Sequence, residues 1–106
     1  MNIQKLMKEA QKAQRKVAEA QERLATMTVE GTAVAGMVTA TASGDGTITA
    51  VRIDPKVVDP EDVEMLEDLV TAAVSEAQRR AKELQEQEMG AAMGGMGGLG
   101  GMGGLF

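Results

Sequence analysis

The 106-residue chain contains no cysteine, histidine, tyrosine or tryptophan, and its one aromatic residue is Phe106. Without cysteine there can be no disulfides and no thiolate metal sites, which fits a reducing cytoplasm. Without histidine as well, the Ser-His-Asp and Cys-His arrangements and the usual zinc sites cannot be assembled. Ser43 and Ser75 are the only serines, leaving carboxylates and lysines as the acids and bases. No nucleophile–base pair and no ligand cluster emerges, so no enzyme, no catalytic residue, no cofactor and no metal is expected. No stretch approaches ~18 consecutive apolar residues. The opening Met1-Asn2-Ile3-Gln4-Lys5 lacks the apolar run of a signal peptide, so the expectation is a cytoplasmic protein without a membrane partner.

Large apolar side chains are also scarce. Alanine and valine dominate the apolar positions, and nine of the eighteen residues from Met89 onward are glycine. The folding unit therefore spans residues 1–88, a size at which a light core is marginal alone and oligomerisation is the usual remedy. The tail, residues 89–106, cannot bury enough surface to offset its ordering entropy and is expected to be disordered.

Charge is the property present in an informative pattern. The formal net charge is −5. Residues 1–27 hold six basic and three acidic side chains (+3), residues 28–58 two and three (−1), and residues 59–88 three and ten (−7). A basic arm is thus attached to an acidic body.

Hydrophobic periodicity predicts one long helix over residues 3–27, with Ile3, Leu6, Ala10, Ala13, Val17, Ala20 and Leu24 on one stripe and Asn2 as N-cap. At 1.5 Å per residue it is roughly 37 Å long, more than a unit of this size can cover, so part of it projects or packs on a second subunit. Strands are expected over Thr28–Ala33, Gly36–Ala42 and Thr47–Ile53, with a break or bulge at Ala35-Gly36 and a hairpin at Ser43-Gly44-Asp45-Gly46. Simple alternation puts Thr49, Val51 and Ile53 on one face of the third strand and Ile48, Ala50 and Arg52 on the other. Asp59 as N-cap with Pro60 at the first position predicts a second helix from Pro60 to about Gln87, stopped by Gly90.

The six basic residues of the first helix, Lys5, Lys8, Lys12, Arg15, Lys16 and Arg23, fall within an arc of about 100° opposite the apolar stripe. Lys8, Lys12 and Lys16 are successive neighbours whose repulsion costs about 0.2–0.5 kcal/mol per pair. Lys5 and Lys8 also sit at the helix N-terminus, where the macrodipole disfavours each cation by about 0.3–1 kcal/mol. The arrangement points to a polyanion. The second helix obeys the dipole rule, with Glu61, Asp62 and Glu64 early and Arg79, Arg80 and Lys82 late, so stability accounts for much of its pattern; the three cations stand as secondary phosphate contacts. Gly95, Gly97 and Gly100 spell a dinucleotide fingerprint without the strand and helix that give it meaning. The acidic cluster Asp59–Asp68 lacks calcium-loop spacing and reads as capping and surface charge.

Several strings carry a resemblance to a known family: Leu6-Met7-Lys8-Glu9-Ala10-Gln11, Val29-Glu30-Gly31, Ala35-Gly36-Met37-Val38, Val51-Arg52-Ile53-Asp54-Pro55 and, most specifically, Glu64-Met65-Leu66-Glu67-Asp68-Leu69-Val70-Thr71-Ala72-Ala73. With the order helix, three strands, helix, the chain resembles the YbaB/EbfC family of bacterial nucleoid-associated proteins over residues 3–88. The resemblance implies an α+β fold (α-β-β-β-α) and a tweezer-like homodimer with sheets joined across the two-fold. It also implies double-stranded DNA as partner, bound with little sequence preference, and a place in the bacterial nucleoid. An alternative is a protein-interaction adaptor whose partners are recombination or repair proteins.

Overall fold

The computed structural model describes residues 2–92. It is an α+β arrangement: α1 (Ile3–Thr26), β1 (Thr28–Ala33), β2 (Val38–Ser43), β3 (Ile48–Ile53), a single 3₁₀ turn at Pro55–Val57, and α2 (Val63–Ala92). The strands form an antiparallel meander in the order β1-β2-β3. Of the tail expected to be disordered, residues 89–92 belong instead to α2, and the rest from Met93 on, with its Gly95/Gly97/Gly100 string, lies outside the described residues.

Asn2 caps α1 as expected, its side-chain oxygen accepting from the backbone N–H groups of Gln4 and Lys5 at 3.0 and 3.4 Å. α2 begins three residues later than the sequence suggests. Asp59 spends its side chain on a turn, accepting from the Glu61 N–H at 2.9 Å, and Asp62 becomes the helix cap, accepting from the Met65 N–H at 3.1 Å. Two aspartates competed for the same role, and the one directly before the apolar periodicity prevails. At the other end α2 runs through Gly90 to Ala92 rather than stopping near Gln87. A lone glycine costs a helix only about 1 kcal/mol, and Met89 and Ala92 are packed, half-buried and buried respectively.

Two further differences lie in the sheet. Ala35-Gly36 is a break rather than a bulge, and forms the centre of a tight hairpin turn joining β1 to β2. Both residues have positive φ (54° and 88°), and the Met37 N–H donates to the Val34 carbonyl at 3.1 Å, as in the mirror-image turns that match strand twist. The bulge sits instead between β2 and β3, where Thr41 pairs with Ala50 but Ala42 pairs with Ile48. Skipping Thr49 moves Ile48 to the face that carries Val51 and Ile53, so strict alternation fails at that point.

α2 lies across one face of β1 and β2. The core is Val38, Ala40, Ala42, Val57, Ala73 and Ala77, with Val29, Ile48, Ile53, Leu66, Leu69 and Val70 packed around it. Small side chains permit close approach, and Gly31 sets its limit: a Cβ there would lie 2.2 Å from the Ala73 carbonyl oxygen and the Ala77 nitrogen. Gly44 plays the same part for α1, since a Cβ would lie 2.5 Å from the Leu24 carbonyl oxygen. The two glycines therefore fix where each helix meets the sheet.

Candidate nucleic-acid interface

α1 has two regimes. Near its C-terminal end Ala20 and Leu24 are buried, against α2 and the β2–β3 hairpin. Residues 2–12 are exposed on every side. The basic residues follow this division. Lys5, Lys8, Lys12, Arg15 and Lys16 are all exposed, and none has a carboxylate at ion-pair distance among the described residues. Glu9 stands one turn from both Lys5 and Lys12 yet pairs with neither. No acidic residue occupies the first turn of α1, so nothing there offsets the positive end of the helix dipole.

Arg23 stands apart from the other five. Its Nε lies 3.3 Å from the Glu88 carboxylate on α2, where it neutralises rather than extends the basic arc. A partner 65 residues away cannot be read from helical spacing. Of the α2 cations, Arg80 is held by Glu76 one turn earlier at 2.8 Å, while Arg79 and Lys82 are exposed. Because α2 continues ten residues past Lys82, the three cations lie mid-helix and its last turn contains no base. The dipole, whose influence fades within a turn, explains the acids at the start of α2 but not those bases.

At the base of the arm, a cleft of about 360 Å³ is lined by Gln21, Leu24, Asp45, Gln85 and Met89. Gln85 ties α2 to the hairpin by donating to the Gly44 carbonyl at 2.9 Å. Asp45 is held below its ordinary carboxylate range by the Ser43 hydroxyl, which donates to it, and by the Thr47 backbone N–H at 3.1 Å. These contacts position the arm and contribute no recognition group. Beyond the hairpin signal at Ser43–Gly46, no local pattern marks Gln85 or Asp45 for this role, because their partners lie on other elements or across the turn. Among the described residues no cluster of acidic side chains could hold a metal, and no helix is long and apolar enough to cross a membrane.

Comparison with known proteins identifies the family of the chain. A nucleoid-associated protein of Saccharopolyspora erythraea is 50% identical over 93 residues, covering 88% of this chain and 80% of that protein. One from Thermus thermophilus is 52% identical over 97 residues, covering 90% of this chain and 91% of its own. The crystal structure of an uncharacterised protein from Helicobacter pylori superposes with a TM-score of 0.72 at 17% identity, covering 82% of this chain and 91% of that one, which speaks to the fold alone. The profile of the YbaB/EbfC DNA-binding family matches residues 1–96, and with these relatives it shows that the chain belongs to that family of nucleoid-associated proteins.

Proposed function

We propose that the protein binds double-stranded DNA as a homodimer through phosphate contacts from Lys5, Lys8, Lys12, Arg15 and Lys16, organising the nucleoid or modulating transcription. The observation that carries this reading is the row of exposed cations on α1 with no carboxylate at ion-pair distance among the described residues. Arg23 contributes less, because binding a phosphate means sharing or releasing Glu88. Arg79 and Lys82 are secondary contacts, and Arg80 is limited by Glu76. Phosphate contacts fix position without reading bases, so selectivity is weak unless DNA shape supplies it.

Dimerisation draws support from the edge of the sheet. β3 is an edge strand; Val51 on it, and Val58, Val63 and Met65 in the chain that follows it, are 40–53% exposed. α2 covers β1 and β2, leaving that apolar border for a second copy. Unpaired strand edges favour pairing with another chain, and a sheet continued through β3 would present two basic arms to one duplex.

A binding titration on two unrelated duplex sequences tests the proposal. Replacing Lys8, Lys12 and Lys16 together by alanine should weaken binding to both sequences alike; unchanged affinity would refute the assignment. The second reading, a protein-interaction adaptor in recombination or repair, is favoured by Ile3, Leu6 and Met7, apolar residues exposed on the same arm. Binding that survives raised ionic strength would favour the adaptor.

A further inference from the structure

The apolar stripe of α1 is covered only in part. Ala20 and Leu24 are 0% and 2% exposed, whereas Ile3, Leu6 and Met7 are 71%, 47% and 58% exposed. The cover is the C-terminal stretch of α2, which runs antiparallel to α1. Leu24 and Gln85 both meet the hairpin at Gly44, and one turn further from it Gln21 and Met89 line the same cleft. By the same count Ala92, still buried, stands level with Val17. The chain therefore enters residues 93–106 near the half-buried Ala13, beyond which the stripe of Ala10, Leu6 and Ile3 is exposed.

Those residues have a strict pattern. Met93, Met96, Leu99, Met102 and Leu105 recur every third position, each of the first four followed by two glycines, with Phe106 after the last. In an extended conformation with three residues per turn and about 3.1 Å rise, such residues share one edge. The intervening glycines let the backbone approach a helix closely. The stripe from Val17 to Ile3 spans about 21 Å, and fourteen residues at that rise reach about 43 Å. No side chain of the segment is charged, so none repels or competes for the lysines, which lie on the far side of the helix.

We propose that residues 93–106 dock their apolar edge along Ile3, Leu6, Met7 and Ala10 of α1 in the same chain, bracing the arm on the side away from its basic face. Glycine at two of every three positions makes one fixed pose costly in entropy. The repeat offsets this by presenting the same anchor spacing in several registers, so that two or three anchors hold at any moment. The DNA-binding face stays free, and the bracing does not depend on DNA being the ligand.

Because the chain has no cysteine, Leu99→Cys provides a single attachment point for a nitroxide on the full-length protein. In isotope-labelled protein the amide signals of residues 4–13 should lose intensity and regain it when the nitroxide is reduced, while those of β3 keep theirs. Adding Ile3→Gln and Leu6→Gln, both at exposed positions, should diminish that loss severalfold. Loss spread evenly along the chain, loss at β3 instead, or no response to the two glutamines would overturn the proposal. Mixing isotope-labelled chains with separate nitroxide-bearing chains decides the source: loss at residues 4–13 in that sample as large as in the single-chain sample would assign the contact to a partner's tail and contradict docking in the same chain.

Discussion

The two helices are of similar make and opposite fate. α2 presents its apolar stripe to the sheet, approaches it through Gly31, and opens with Asp62 and Glu64 where the dipole prefers acids. α1 is buried only at Ala20 and Leu24, has no acid in its first turn, and places Lys5 and Lys8 where the dipole opposes them. One helix is arranged for stability. The other carries a local electrostatic penalty along an exposed length, and a penalty of that kind persists most readily where it serves an external ligand.

The sharpest way to break this contrast is at Gly31. Gly31→Ala forces a Cβ against the backbone of Ala73 and Ala77, and should cost about 3 kcal/mol of unfolding free energy in denaturant titration. A loss below about 1 kcal/mol would mean that α2 is not held where described. Within α1 the contrast becomes a gradient. Leu24→Ala should cost about 2–4 kcal/mol, and Leu6→Ala under about 1 kcal/mol, by the same measurement. Similar losses at both positions would show that the arm is buried along its whole length.

Smaller effects separate stability from binding. Lys8→Gln and Lys12→Gln together relieve like-charge neighbours and should raise stability at low salt by about 0.5 kcal/mol, while DNA affinity falls. A variant that loses both would indicate that these lysines support the fold. The smallest effect is expected at Asp45. Its carboxyl is held below its ordinary value by Ser43 and Thr47, so the folded state binds its proton less readily than the unfolded chain does. The resulting stabilisation is present above the unfolded value of about 4 and disappears as pH falls through the lower folded value. Asp45→Asn should flatten the acid limb of stability against pH slightly, as followed by thermal unfolding.

Much of this organisation was legible in the residues. Periodicity placed both helices, turn chemistry located the Ser43–Gly46 hairpin, and the excess length of α1 announced an arm. Features that depend on partners distant in sequence were not legible. Nothing near Thr49 signals the bulge that turns Ile48 toward the core, because register is a property of two strands. Arg23 belonged to the basic arc by spacing and is withdrawn from it by Glu88. Gly90 marked a helix stop by local propensity, but α2 continues to Ala92, where packing outweighs a single glycine. The unpaired state of the α1 lysines likewise emerged only once every nearby carboxylate had been placed.

The salt dependence of DNA affinity tests the central claim most directly. With three phosphates engaged by each of two arms, log affinity against log salt should fall with a slope near about −5, and the Lys8, Lys12 and Lys16 triple alanine variant should be markedly shallower. An equally steep slope in the variant, or a nearly flat one in the wild type, would contradict recognition of phosphate by the exposed face of α1.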